Sequence, residues 1–356
     1  MYRKFALACI LFIVAFFVGN LVCWHFVTAP TFFSAKGHGD LQRLGYLQPV
    51  DLPMGQETDG SNYVEFPDYL KAGANGHFDI ITIGDSFSNH GGASHYQDFL
   101  ATATGWSILH VPNYNFDAVS MYYILDELGY IDQIKPRYVI LESVERSVQS
   151  CYGNTMLTTP KMDDSSFRKL MSKPMYQQSA QRGQWAPGIM VKANLKLIAN
   201  KLRFGSHPYR LSQEVDHAML QRPAFSATGH EQELIFYHDD LQYLVKPLQA
   251  EKVNENLNHA AADMRRKGIQ LVFFIAPDKF DVYYPLLDEE VQARWPENPT
   301  FARMREMDHD YIFIDVLPLF REAIIHGEQD FYWYDDTHWS WKAQKLFCAE
   351  LVRQLR

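Results

Sequence analysis

The first apolar stretch of the chain is also its longest. From Phe5 to Val27 the sequence FALACILFIVAFFVGNLVCWHFV carries no charged side chain apart from what His25 can acquire. A helix of roughly 20 apolar residues spans a bilayer core. Asn20, Trp24 and His25 fall toward the far end, where polar atoms and an indole ring reach the interface. Arg3 and Lys4 precede the run, so the positive-inside rule keeps the N-terminus in the cytoplasm and exports the rest of the chain. The run is longer than the apolar region of a signal peptide, and no small-x-small cleavage site lies beyond it. Thr28-Ala29 leads into Pro30, and Phe33-Ser34-Ala35 opens on a bulky ring. The expectation is an uncleaved anchor over 1–27 and a single crossing, since no second run of comparable length occurs.

Residues 28–75, rich in Gly, Pro, Asp and Gln, read as a linker and lead-in. Short apolar runs then alternate with helical patterns. Strands are expected at 78–83, 106–111, 137–143, 270–277 and 310–316, and helices at 94–104, 118–131, 241–267, 281–294, 318–325 and 341–354. The strands are continuous apolar runs rather than alternating ones, as a sheet covered on both faces requires. The pattern lapses from about 151 to 229, leaving one helical piece near 189–202, so an insertion or cap at about 151–235 is expected on a domain spanning 76–356. Strand–helix alternation at this spacing implies parallel pairing. The expected fold class is a three-layer α/β/α, flavodoxin-like domain with a mostly parallel sheet, preceded by one transmembrane helix. Its ligands should bind at the strands' C-terminal ends.

With 356 residues, 47% hydrophobic and 21% charged, the chain can bury a sizeable core. A net charge of −9 with no basic block excludes nucleic acid as a partner, because such binding needs many phosphate-neutralising cations on one face. Aromatics at 14% suit a sugar-binding groove, although most rings of any protein simply pack its core. Of four cysteines, Cys151 and Cys348 lie outside the anchor. An oxidising compartment permits a disulfide between them, and two separate buried thiols satisfy the sequence equally well.

Two segments carry chemistry. In Ile83-Gly84-Asp85-Ser86-Phe87-Ser88 a serine stands after a buried strand and before a helix. Its hydroxyl would stand at the sheet's C-terminal edge, where turn N–H groups stabilise an oxyanion. Gly84 permits a tight turn there. Alone this is also ordinary turn composition. In Asp335-Asp336-Thr337-His338-Trp339 an imidazole stands two or three residues after carboxylates that can fix its tautomer and stabilise its cation. The plainer use of these acids is to cap the next helix, and both uses are compatible.

Gly-Asp-Ser after the first core strand, with Asp-x-(x)-His before the last helix, resembles the arrangement of the SGNH (GDSL-type) hydrolases. ITIGDSFS, YVILESVERSV, FIAPDKFDVYY and YDDTHWSWKA together resemble the alginate O-acetyltransferase-like branch of that superfamily, over roughly 75–356. The resemblance implies Ser86 as nucleophile, His338 as base and Asp336 as its orienting carboxylate, with Asp335 in reserve. It also exposes departures. The second block reads VPNYNFDAVS without its glycine, and LESVERS stands where Gly-x-Asn-Asp belongs. The Ser86 N–H is then the expected oxyanion donor. Asn113, Asn115 and Arg146 are further candidates, whose alternative uses are turns and pairing with Glu142 or Glu145. Lys279, with Tyr283 or Tyr284, and Trp339 among the tryptophans around His338 are candidate substrate contacts, the alternative for the rings being packing. His90, His95 and His110 match no compact ligand pattern, so no metal is expected, and no cofactor.

By resemblance the chain is an O-acyltransferase, most simply an O-acetyltransferase, that acts on an exported or cell-surface polysaccharide through a Ser-His-Asp acyl-enzyme. It would be held in the inner membrane with its catalytic domain on the periplasmic side. Because acetyl-CoA stays in the cytoplasm, a multi-pass membrane-bound O-acyltransferase is the implied donor partner. Rival readings are a carbohydrate esterase with the same triad and a non-catalytic glycan-binding subunit.

Overall fold

The computed structural model describes residues 2–29, 39–45, 47, 50, 52, 55–72, 76–89, 94–114, 116–153, 161–173 and 192–356. The central sheet contains β1 (Val64–Glu65), β2 (Ile80–Gly84), β3 (Ile108–Pro112), β4 (Tyr138–Val144), β7 (Gln270–Ala276) and β8 (Ile312–Ile314). These lie in the order β1-β3-β2-β4-β7-β8, and every neighbouring pair is parallel. β5 (Val215–Met219) and β6 (Glu233–Tyr237) form a separate antiparallel pair. This is the α/β fold of the SGNH type, with its parallel sheet between helices.

Alternation along β7 shows how both faces are covered, since successive side chains point to opposite sides. Phe274 meets Tyr96 and Phe347, which belong to helices Tyr96–Thr104 and Trp341–Leu355. Its neighbour Phe273 meets Tyr152, whose carbonyl accepts from Asn256 of helix Ala250–Arg266. Every residue of β2 and β3 is buried, which accounts for their mostly apolar sequences; the polar exceptions, Thr82 and His110, bond each other.

N-terminal to this domain, helix Tyr2–Cys23 runs on into a wider π turn, Trp24–Thr28. Among the described residues, Tyr2–Phe26 is the one helix long and apolar enough to cross a membrane. Cys151 and Cys348 are separate free thiols.

Two sequence expectations need correction. The stretch 28–75 is more than a linker: Val64 and Glu65 pair with Leu109 and His110 at the sheet edge, and Phe66 of helix Phe66–Lys71 is fully buried. A two-residue strand is too short to leave a periodic signature. The insertion is also more structured than its irregular sequence implies, with helix Asp164–Met171 before the expected helix, here Lys192–Phe204, and the β5–β6 pair after it.

Candidate active site

The C-terminal ends of β2, β3, β4 and β7 lie side by side, with Gly84 opposite Pro112 and Val144 opposite Ala276. Each strand hands a short polar segment to this edge: Asp85-Ser86, Asn113, Glu145-Arg146 and Asp278. Parallel strands all end at one rim, so residues far apart in sequence converge there.

The turn bearing Ser86 is braced from beneath by Glu142, a buried acid in the last turn of β4's apolar run. Glu142 Oε2 accepts the Asp85 N–H at 2.8 Å and the Ser88 hydroxyl at 3.1 Å. Asp85 Oδ1 accepts the Phe87 N–H at 2.9 Å, closing the turn on itself. A Cβ at Gly84 would stand 2.3 Å from Ser88 Oγ and 2.4 Å from Glu142 Oε2, so this close approach requires glycine. Burial, and then the nearby Asp85, push the Glu142 carboxyl well above its usual range. Glu142 therefore acts as a strut beneath the turn.

The His338 segment comes in from the other side. Its stem is closed by the Ser340 N–H donating to the Phe331 carbonyl at 2.7 Å and by the Tyr332 N–H donating to the Tyr283 hydroxyl at 3.2 Å. His338 Nδ1 lies 2.6 Å from Asp336 Oδ1, and the same oxygen accepts the His338 N–H at 2.9 Å. The Asp335 carboxylate turns elsewhere and accepts the Gly39 N–H at 3.0 Å. Phe87 joins the two segments: its ring centroid is 4.8 Å from that of His338, and its carbonyl accepts the Trp339 indole N–H at 2.9 Å. Ser86, one residue before Phe87, lies on this partly exposed turn.

Asp40 completes this group, and the sequence pattern did not point to it. Its carboxylate accepts the N–H and hydroxyl of Thr337, its own N–H donates to Asp336 Oδ2 at 3.2 Å, and its Oδ2 lies 3.6 Å from His338 Nδ1. Gly39 alongside has no room for a side chain, since a Cβ would stand 2.0 Å from the Asp335 carbonyl oxygen. Burial and the adjacent Asp336 raise the Asp40 carboxyl. For His338, burial works against the charged ring, but Asp336 and Asp40 more than offset it and the net shift is upward. Asp40, Asp336 and His338 each offer a ligand atom within 4.8 Å of the others, although the hydrogen bonds among them already occupy these atoms.

Other candidates fall into place around this core. Arg146 pairs with Asp278, and with Asp240 at 3.4 Å, rather than with Glu142 or Glu145. Burial opposes its charge and these two carboxylates restore it. Its guanidinium carbon lies 5.6 Å from the Phe87 ring centroid, beside the site. Asn113 donates its N–H to the Gly84 carbonyl at 3.0 Å, and its side-chain oxygen is buried without a partner. Asn115 and His90 lie outside the described residues. His95 and His110 are buried, and His110 Nδ1 sits 3.0 Å from the Thr82 hydroxyl.

The three expected substrate contacts are corrected. Lys279, Tyr283 and Trp339 are at most 1% exposed and sit behind the site. Lys279 donates to the carbonyls of Trp333, Tyr334 and Asp336, at 2.8, 2.6 and 3.2 Å, and so fixes the loop that carries the His–Asp pair. Burial lowers its ammonium to about 8. On the opposite side of the Ser86 turn, at the β1/β3 end of the edge, lies a cavity of about 470 Å3, lined by Glu65, Asn89, Pro112, Tyr114, Arg168 and Lys173 among others.

A mostly parallel α/β sheet between helices fits the SGNH-hydrolase-like fold, with Gly-Asp-Ser at the end of its first long strand and an Asp-x-His pair in the loop before the last helix. Residues 228–356 match the family model of the SGNH hydrolase-like domain, acetyltransferase AlgX, which supports the alginate O-acetyltransferase-like branch. The matched part includes Asp336 and His338 and leaves Ser86 outside it. No curated protein matches the chain.

Proposed function

We propose that this chain is a membrane-anchored O-acyltransferase, most simply an O-acetyltransferase, acting on a polysaccharide outside the cytoplasm. The observation that carries the reading is the 2.6 Å contact between His338 Nδ1 and Asp336 Oδ1, made inside the AlgX-matched segment and packed on Phe87 beside Ser86. With Nδ1 committed to Asp336, the other ring nitrogen of His338 is the one that takes the Ser86 proton. The Ser86 oxygen attacks the acyl carbonyl, and the tetrahedral intermediate collapses to an acyl-serine as the donor's leaving group accepts that proton. A sugar hydroxyl, deprotonated by His338, then attacks the ester, and Ser86 recovers its proton as it leaves. The Ser86 N–H is the first oxyanion donor. Asn113, rotated to present its amide NH2, is the second, with the Arg146 cation behind them.

The 470 Å3 cavity beside the turn offers room for a sugar acceptor. The apolar helix Tyr2–Phe26 supports a single-pass anchor; on this reading Arg3 and Lys4 hold the N-terminus in the cytoplasm, which puts the anchor in the inner membrane and the catalytic domain on the periplasmic side. An enzyme so placed depends on a multi-pass membrane acyltransferase to deliver the acyl group. The test is Ser86→Ala in cells, with protein level and melting temperature unchanged. Loss of polymer acylation is expected, and unchanged acylation would overturn the proposal. Purified enzyme that releases acetate from acetylated polymer, yet transfers none from an artificial acetyl ester to an oligosaccharide, would instead be an esterase.

A further inference from the structure

Helix Lys192–Phe204, from the insertion, grips the outer end of the N-terminal helix. Asn20, Trp24 and Thr28 lie at i, i+4 and i+8, on one side of that helix, and are 9%, 4% and 1% exposed. The Asn194 amide donates to the Asn20 carbonyl at 2.8 Å and to Asn20 Oδ1 at 2.7 Å, and its oxygen accepts the Thr28 hydroxyl. Polar bonds among buried side chains fix the register of two helices more strictly than apolar packing does.

At 1.5 Å per residue, Phe5 to Gly19 covers about 22 Å and Phe5 to Val27 about 34 Å, against a hydrocarbon core of roughly 30 Å. Asn20–Thr28 therefore stands at the outer boundary of the bilayer, and a helix bonded to it is held at the same height. Helix Lys192–Phe204 is built for that position. Leu195, Ile198 and Leu202 fall within an arc of roughly 60° at 3.6 residues per turn, and they are 43%, 48% and 84% exposed. The helix contains no acidic residue, and its exposed Lys196, Lys201 and Arg203 match anionic headgroups in charge. An apolar stripe flanked by cations is the signature of a helix lying in the interface plane.

We propose that Lys192–Phe204 is a membrane-surface helix that lays Leu195, Ile198 and Leu202 into the outer leaflet, making a second attachment beside the spanning helix. It thereby fixes how the catalytic domain stands on the bilayer. The proposal rests on the membrane anchor of the proposed function and extends it.

The test uses the full chain, without other proteins, in vesicles of phosphatidylethanolamine and phosphatidylglycerol doped with a phospholipid that carries a diazirine near its headgroup. After irradiation, lipid adducts are located by mass spectrometry. Adducts are expected on peptides carrying Leu195, Ile198 and Leu202 as well as on Tyr2–Cys23. Leu202→Glu, at a position too exposed to disturb the core, should reduce the first set several-fold and spare the second. Adducts confined to Tyr2–Thr28 would overturn the surface helix and leave the anchor standing. Adducts on neither helix would overturn the anchor itself.

Discussion

At the scale of single residues, the site turns on what two carboxylates do to one imidazole. His338 is partly buried, which alone would lower its affinity for a proton, yet Asp336 and Asp40 raise it above the ordinary histidine value. A general base works only when neutral, so activity should rise with pH through an acidic limb lying above about 6.5. Asp336→Asn removes the closer carboxylate. The limb should move to lower pH while kcat falls on the order of 10^3–10^4-fold, because the tautomer is no longer fixed. Asp40→Asn should move the limb in the same direction with a smaller loss of rate, since its oxygen stands 3.6 Å from Nδ1 against 2.6 Å for Asp336. Rate–pH profiles of the two variants check both statements. An Asp40→Asn limb that stays in place would mean that Asp40 acts only as a brace for Thr337.

Beneath the Ser86 turn the constraint is steric. Gly84→Ala would drive a methyl into Ser88 Oγ and Glu142 Oε2, both packed under the turn. Overpacking of this kind costs about 1–3 kcal/mol, and here it also displaces the group that fixes the Asp85 N–H. A lower melting temperature and at least tenfold weaker transfer are expected together, measured by thermal unfolding and by turnover of an artificial acetyl ester.

At the scale of elements, the loop 331–340 works as a rigid arm because Lys279 is sunk behind it. Three main-chain carbonyls meet one ammonium, and of these the Trp333 carbonyl also accepts the Asp336 N–H at 3.3 Å. Lys279→Met leaves the Tyr334 and Asp336 carbonyls without their donor, at about 1–3 kcal/mol each. Chemical denaturation should show a loss of several kcal/mol, with kcat reduced and the acceptor KM little changed. A lysine that touched the acceptor would raise KM at constant stability. The motif around Lys279 was legible in the sequence, but its role was not, because burial is a property of the packed fold.

The same limit explains the other misreadings. The helix expected over 118–131 is cut into Ala118–Glu127 and Tyr130–Ile134 by Gly129, whose φ of 78° no ordinary helical residue adopts. The one expected over 281–294 divides at Pro285, which comes just after Lys279–Tyr283 and opens a 3-10 turn. The core strands were legible within a residue or two, since their apolar runs are dictated by cover on both faces. The pairing of Asp336 with His338 was legible through the type and order of their residues. Asp40 was not, because a carboxylate 296 residues before Asp336 reaches it only through tertiary folding. Glu142 left one usable sign, a lone acid inside the apolar run YVILESV.

At the scale of the whole molecule, the rim at the candidate site also concentrates carboxyl groups inside the protein. Behind the Arg146–Asp278 pair, Glu145, Asp278 and Asp281 bring carboxylate oxygens within 4.8 Å of one another, with Asp240 and Arg321 adjoining. Glu145 Oε2 accepts the Asp278 N–H at 3.0 Å, and Arg321 Nε donates to the Asp281 carbonyl at 2.9 Å. Burial, and then the neighbouring Asp278, push Asp281 up to about 8, while burial against the opposing pull of Arg146 leaves Asp278 at about 6.

Proton linkage sets the sign of the effect on stability. A carboxyl with a raised folded-state pKa holds a proton that the unfolded chain has already released above about pH 4, so the native state binds more protons across that window. Stability from Asp281 is therefore greatest below pH 4 and falls as pH rises toward about 8, by at most about 1.4 kcal/mol per pH unit for one proton. Asp281→Asn replaces the acid with a neutral group of nearly the same shape. Its stability relative to the parent should be higher at pH 8 than at pH 5, because the parent alone must hold or lose that proton. Urea unfolding of parent and variant at both pH values reads the difference. Parallel pH slopes would show that Asp281 stays ionised in the native state, balanced by Arg321.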